Sequence, residues 1–349
     1  MGDAVAEWAS VLTGRAGGEW WVRGEVPPLG RERLPDGRIM PGNRTWRGTC
    51  PGGKLFRPSP WDSAPLCHPF WPTEPSCRAL SVGIGNEWTF EDLAANGGDV
   101  EKTPMSDARL ERTRRLYVDQ AGRAPPLRCA VHAFDATVGL RSKHEAHGRL
   151  AAAAHSDLHF HFGGLRGGSG GAGKDAARAV GESANGTSSQ GNNTRNTYGE
   201  VDFSSLQTLD QLLRVAAGSE AADDGSAPAL DILKIDCEGC EWAALEHVAK
   251  VVPTLLARTR LVLLELHVAT SMVRPTPTNF VGLFDLLLVR LGFRLFYVRN
   301  NPGRQHDRNV VPFLLGKALP RQCCYEIALV RNMTLRRRPP LLNSAWRTT

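Results

Sequence analysis

Ten consecutive residues hold most of the chemistry that the sequence offers: Leu233-Lys234-Ile235-Asp236-Cys237-Glu238-Gly239-Cys240-Glu241-Trp242. An apolar run stops at Asp236, and two further carboxylates, Glu238 and Glu241, follow before Trp242. Carboxylates crowded at a strand-to-helix turn can raise one another's pKa and create a proton acceptor. They can also gather a cation, or simply favour the positive end of a helix. Cys237 and Cys240 form a Cys-x-x-Cys pair at the same turn, a placement that suits thiol redox chemistry. Against that, acids rather than Lys or Arg flank the thiols. Zinc would need a second ligand pair, and Cys323 and Cys324 are too tightly adjacent to form one.

Two smaller features precede this cluster and one follows it. Gly83-Ile84-Gly85 ends an apolar run that starts at Cys77. Backbone without side chains there lets a nucleotide-like ligand approach closely, although tight turns also use Gly for packing. Asp135 closes the next apolar run, Arg128 to Phe134, where a carboxylate can accept hydrogen bonds from both hydroxyls of a ribose or can cap a helix. Position 88 is Trp, so no third glycine completes Gly-x-Gly-x-x-Gly and a dinucleotide is disfavoured. Glu265 and His267 alternate on one face of a later apolar run. His267 is a candidate general base or substrate-orienting group, or else a satisfied core histidine.

The elements that must position these residues alternate. Strands are expected at Cys77–Val82, Arg128–Phe134, Leu158–Phe162, Asp231–Ile235, Leu261–Val268, Phe293–Val298 and Tyr325–Val330. One helix is expected after the glycine turn, with Thr89 and Asp92 as its cap. A second follows a Thr208/Gln211 capping box over Leu209, Leu212 and Leu213 and stops at Gly218. A third runs from about Glu241, with Trp242, Leu245 and Val248 on one side. Phe280, Leu283, Phe284, Leu287 and Leu291 make one more helical face, ended by Gly292. Alternation of this kind predicts an α/β domain with a doubly wound, mostly parallel sheet covered on both faces. The last two strands have no crossover helix between them, which predicts an antiparallel edge strand. In such sheets ligands bind beyond the carboxyl ends of the strands, where the features above fall.

The bulk numbers bound the rest. The chain has 349 residues, 42% of them hydrophobic, and Gly and Pro cluster rather than spread. Residues 1–75 read as a loop-rich N-terminal extension carrying Trp20, Trp21, Trp46, Trp61 and Trp71, and 76–332 as the main domain. Residues 163–200, rich in Gly, Ser, Ala and Asn, read as a flexible insertion, and 333–349 as a basic tail with Arg336, Arg337 and Arg338. The net charge of +6 comes without a basic helix interleaved with aromatics, which argues against nucleic acid as partner. The most apolar stretch, Phe280 to Leu291, is short and charged, so no transmembrane segment is expected. No basic start followed by an apolar run marks a signal peptide, which makes the cytoplasm the default location. Four sequons, at Asn43, Asn185, Asn192 and Asn332, keep the secretory pathway open. Eight cysteines in a chain this long are not a disulfide scaffold. Cys50, Cys67 and Cys77 could pair in an oxidising compartment, whereas Cys129 and Cys237 read as core thiols.

The run from Leu233 to Trp242 resembles the LKID-x-EG-x-E signature of FkbM-type methyltransferases, and the chain as a whole is similar to a eukaryotic methyltransferase-like branch related to them. Ser81, Gly83, Ile84, Gly85, Trp88, Phe90 and Glu91 match that branch's first segment. Val131, His132, Phe134 and Asp135 match its V-H-x-F-D strand, Leu264 to His267 its L-E-L-H strand, and Cys324 to Val330 its last one. The resemblance covers about residues 77 to 331. It implies a Rossmann-like sheet of the class I methyltransferase type. It also implies S-adenosyl-L-methionine as cofactor and methyl transfer to oxygen, with a small-molecule or glycan hydroxyl as acceptor. Carried over by position, Gly83, Gly85, Asp135 and Asp236 would bind the cofactor, while Asp236, Glu238 or His267 would take the acceptor's proton. No metal is implied. The rival expectations are a non-catalytic binding or scaffold protein on the same fold and a thiol redox protein.

Overall fold

A computed structural model of the chain describes residues 55–56, 66–67, 77–85, 87–96, 128–166, 195–196, 199–217, 230–237, 239–251, 256–267, 282–301 and 324–331. The expected tail, the five N-terminal tryptophans, the four sequon asparagines and most of the 163–200 insertion lie outside them.

Seven strands form the main sheet: β1 Cys77–Val82, β2 Cys129–Asp135, β3 Leu158–Phe162, β4 Ile232–Ile235, β5 Leu261–His267, β6 Phe293–Asn301 and β7 Cys324–Arg331. Their order across the sheet is β6-β7-β5-β4-β1-β2-β3. Strands β3, β2, β1, β4 and β5 run parallel, and β7 is antiparallel to both β5 and β6. The last two strands thus make the antiparallel edge that the sequence suggested, and the reversed strand within it is β7. It sits one place in, where both of its backbone sides find ladder partners, and its Ile327, Ala328 and Leu329 are buried. The edge falls to β6.

Side chains alternate between two buried layers, as the period of a strand requires. Leu80, Val82, Phe134, Leu233, Ile235, Val262 and Leu264 enter one layer. Ala79, Val131, Ala133, Ile232, Leu261 and Leu263 enter the other. Helices α1 Thr89–Asn96 and α2 Arg141–Ala153 cover the second face. Helices α3 Leu209–Ala217 and α4 Glu241–Val251 cover the first, together with the π-helical segment Asp285–Arg290, after which the Leu291 amide donates to the Leu286 carbonyl. The sheet is thus mixed, mostly parallel and wrapped on both sides. Among the described residues no helix is long and apolar enough to cross a membrane.

The local signals hold in part. The Thr208 amide donates to the Gln211 side chain, one half of the expected capping box. Thr89 is already the first residue of α1, and its hydroxyl donates to Glu87, while Asp92 turns to His147. Leu283, Phe284, Leu287 and Leu291 are buried as their spacing suggested, and Gly292 takes a φ of +69°. Helix α2 has no counterpart in the hydrophobic pattern, because its buried face is His144, His147 and Ala151.

The cysteines need a correction. Cys77 and Cys129, directly opposite in the β1–β2 register, form a disulfide, and Cys237 is bonded to Cys240. Neither Cys129 nor Cys237 is a core thiol. Apolar surroundings hide a disulfide as readily as a thiol, and the sequence could not tell the two apart.

Candidate functional site

The order of the strands reverses between β1 and β4, and the sheet opens a rim there at their carboxyl ends. Gly83 leaves β1 with a φ of +82°, and Gly85 follows at +60°. A Cβ at position 83 would collide with the backbone carbonyl of Asp236. The missing side chain is therefore used by the protein itself, to bring the end of β4 against the end of β1. The Gly83 amide donates to the Phe134 carbonyl at 2.9 Å, and the Asp236 amide donates to the Val82 carbonyl at 2.8 Å. The three strand ends are tied into one edge.

Asp135 organises the turn. Its Oδ2 accepts from the amides of Ile84 at 3.1 Å and Gly85 at 2.9 Å, and its Oδ1 accepts from Thr137 at 2.8 Å. A carboxylate has about four acceptor positions, so one remains for a ligand hydroxyl. Beside it lies a buried imidazole that sequence reasoning missed. His144 Nδ1 accepts from Trp88 Nε1 at 3.1 Å, which puts the proton on Nε2, 3.8 Å from Asp135 Oδ2. Burial pushes the His144 pKa down. The only sequence signal for it was the cluster His144-x-x-His147, four residues after a strand-end turn closes at Leu140.

Beneath the turn sits a buried ion pair. Lys234 Nζ donates to Glu91 Oε1 at 3.1 Å, and the Ser81 hydroxyl donates to the same oxygen at 2.5 Å. Lys234 also lies over the ring of Phe90. This group links β4, β1 and α1 directly under the glycines.

The acidic cluster resolves into distinct roles. Asp236 is half-buried at the rim. Glu241, the first residue of α4, is fully buried, and its Oε1 accepts from the Cys237 amide at 3.0 Å and lies 2.9 Å from His267 Nδ1. The Cys237–Cys240 disulfide closes the turn between these carboxylates, with Gly239 at a φ of +120°. Burial works against charge on His267, but the neighbouring Glu241 carboxylate, with Glu265 and Asp236 beyond it, holds its pKa well above the usual histidine range. Trp242 Nε1 donates to the His267 carbonyl at 2.8 Å and fixes the end of β5. Glu238 lies outside the described residues.

Gly83, Gly85, Asp135, Asp236 and His267 therefore lie along one edge of the sheet. Glu241, expected only as a member of the acidic cluster, and Lys234, Glu91 and His144, given no role at the site by the sequence, hold that edge in place. Comparison with protein families, with curated proteins and with solved structures finds no match to this chain.

Proposed function

We propose that the chain is an S-adenosyl-L-methionine-dependent methyltransferase with a Rossmann-like, class I type sheet, acting on a hydroxyl of a small molecule or glycan. The observation that carries this reading is the convergence of the Gly83–Gly85 turn, Asp135 and Asp236 at the point where strand order reverses. That is where open α/β sheets of order 3-2-1-4-5 bind nucleotide-like ligands. The residues suit such a group. Gly85 offers backbone without a side chain, Asp135 keeps an acceptor position for a ribose hydroxyl, and Asp236 brings negative charge near a sulfonium.

S-Adenosylmethionine, when bound, supplies an electrophilic methyl group. The chain must hold the acceptor oxygen in line with it and accept the hydroxyl proton. Asp236 fits the second task, since it is half-buried and reachable. His267 is 2% exposed and its Nδ1 is engaged by Glu241, so it positions the end of β5 rather than meeting the acceptor.

Calorimetric titration of the full chain with S-adenosylmethionine and S-adenosylhomocysteine tests the reading. Saturable one-to-one binding is expected. In Asp135→Asn, an amide replaces an oxygen that accepts backbone N–H groups, and affinity should fall tenfold or more, about 1.4 kcal/mol. A silent titration of the folded wild-type chain would overturn the reading. The non-catalytic scaffold reading would then take its place, since Asp135 would be serving the glycine turn alone.

A further inference from the structure

The acidic cluster contains an atom that the fold leaves unsatisfied. Glu241 is 0% exposed, and its Oε2 has no hydrogen-bond partner. A buried carboxylate oxygen with nothing to bind is costly, and natural proteins seldom tolerate one without a reason. Ligand atoms of Asp236, Glu241 and His267 all lie within 4.8 Å of one another. We propose that Asp236, Glu241 and His267 form a binding site for one divalent first-row cation of the Mn2+ or Zn2+ type.

The distances suit such an ion. Ligands at about 2.1 Å from a common centre are about 3 Å apart when adjacent and about 4.2 Å when opposite. The 2.9 Å between His267 Nδ1 and Glu241 Oε1 is the adjacent separation. A cation would take the place of the proton shared there and would bring Glu241's bare Oε2 within reach of a positive charge. Two carboxylates with one imidazole favour Mn2+ or Zn2+ over the all-oxygen sets that Mg2+ and Ca2+ prefer. The surroundings already orient the ligands. The Cys237 amide holds Glu241, Trp242 holds the strand end that carries His267, and the disulfide fixes the turn between Asp236 and Glu241.

A second grouping of Glu265, His267 and Cys324 has comparable spacing, but Cys324 is disulfide-bonded and offers no thiolate. Three protein ligands leave coordination positions open. If the methyltransferase reading holds, those positions would receive acceptor oxygens and narrow the acceptor to molecules with a metal-binding hydroxyl.

The test is Mn2+ binding to the full, disulfide-intact chain, read by loss of the free-ion electron paramagnetic resonance signal, with Zn2+ as competitor. One Mn2+ per chain, displaced by Zn2+, is expected. Glu241→Gln and Asp236→Asn should each weaken binding tenfold or more, while Asp157→Asn, before β3, should not. Near-UV circular dichroism checks that each variant is folded, and Asp236→Asn stands alone if Glu241→Gln does not fold. A wild-type chain that leaves the Mn2+ signal unchanged, or folded variants that bind as tightly as wild type, would overturn the cation site. The S-adenosylmethionine titration is independent of this readout. Cofactor binding without Mn2+ binding removes only the cation site, and Mn2+ binding with a silent cofactor titration removes only the proposed activity.

Discussion

The rim at the ends of β1, β4 and β5 and the face of β2 and β3 both pack titratable groups closely, yet they handle charge in opposite ways. At the rim every buried cation meets a carboxylate: Lys234 meets Glu91, and His267 meets Glu241. On the other side, imidazoles meet imidazoles. His132 Nδ1 lies 3.0 Å from His161 Nε2, the His132 ring stacks on His159, and His161 stacks on Phe134. Burial and the neighbouring histidines push His132 down to about 4, and burial with His159 lowers His161 as well. The partner's sign, more than depth of burial, decides whether a side chain keeps its charge. The rim pairs opposite charges, while burial and neighbouring imidazoles on the histidine face disfavour a proton on His132 and His161.

The largest expected effect comes from breaking the rim at its closest approach. Gly83→Ala would place a Cβ against the Asp236 carbonyl at a φ of +82°, so the ends of β1 and β4 must part. Urea unfolding of the disulfide-intact chain should show a loss of more than about 4 kcal/mol, in the range reserved for severe backbone conflict. Gly85→Ala, at a φ of +60° that L-residues can adopt, should cost about 1 kcal/mol. Equal losses at the two positions would mean that the close contact is not what fixes the rim. Next in size is the buried pair. Lys234→Met takes the cation from the Glu91 carboxylate and should cost about 3 kcal/mol, whereas Lys234→Met with Glu91→Gln should regain most of it. A double variant no better than the single one would remove charge pairing as the reason the rim is rigid.

These contrasts also explain what the sequence disclosed. All seven strands of the main sheet were legible within a few residues, because strands buried on both faces are short apolar runs bounded by turn-forming or polar residues. Helix α3 was legible from Thr208 and Gln211, whose bond is local. Helix α2 was not, because histidines rather than aliphatic residues fill its inner face. The antiparallel edge of β6 and β7 was legible, but not which of the two lies outermost, since insertion of β7 between β5 and β6 is decided by contacts distant in sequence. The convergence of Gly83, Asp135 and Asp236 followed from their positions at strand ends. Their supports did not. Glu91 reaches Ser81 and Lys234 from a helix, and Glu241 reaches His267 across 26 positions of chain. Such pairs leave no spacing to read. The Cys77–Cys129 disulfide escaped for a related reason, because its two cysteines meet only through strand register.

The smallest effect expected is a change of pH slope on the histidine face. His132 on β2 faces His159 and His161 of β3, Asp157 just before β3, and Arg78 of β1. Its folded pKa, about 4, lies below the unfolded value of 6.5. Between those values the unfolded chain binds more protons than the folded one, so stability falls as pH drops from 6.5 towards 4 and is unaffected by this group above 6.5. His132 is partly exposed, so solvent screening reduces the effect to about 1 kcal/mol. His132→Gln can still hydrogen-bond to His161 but cannot take up a proton. The difference in urea midpoint between pH 7 and pH 4.5 should therefore shrink in the variant relative to wild type. The same difference in both would mean that protons enter elsewhere first, and that the neutral face and the charged rim do not divide the acid response as their neighbours suggest.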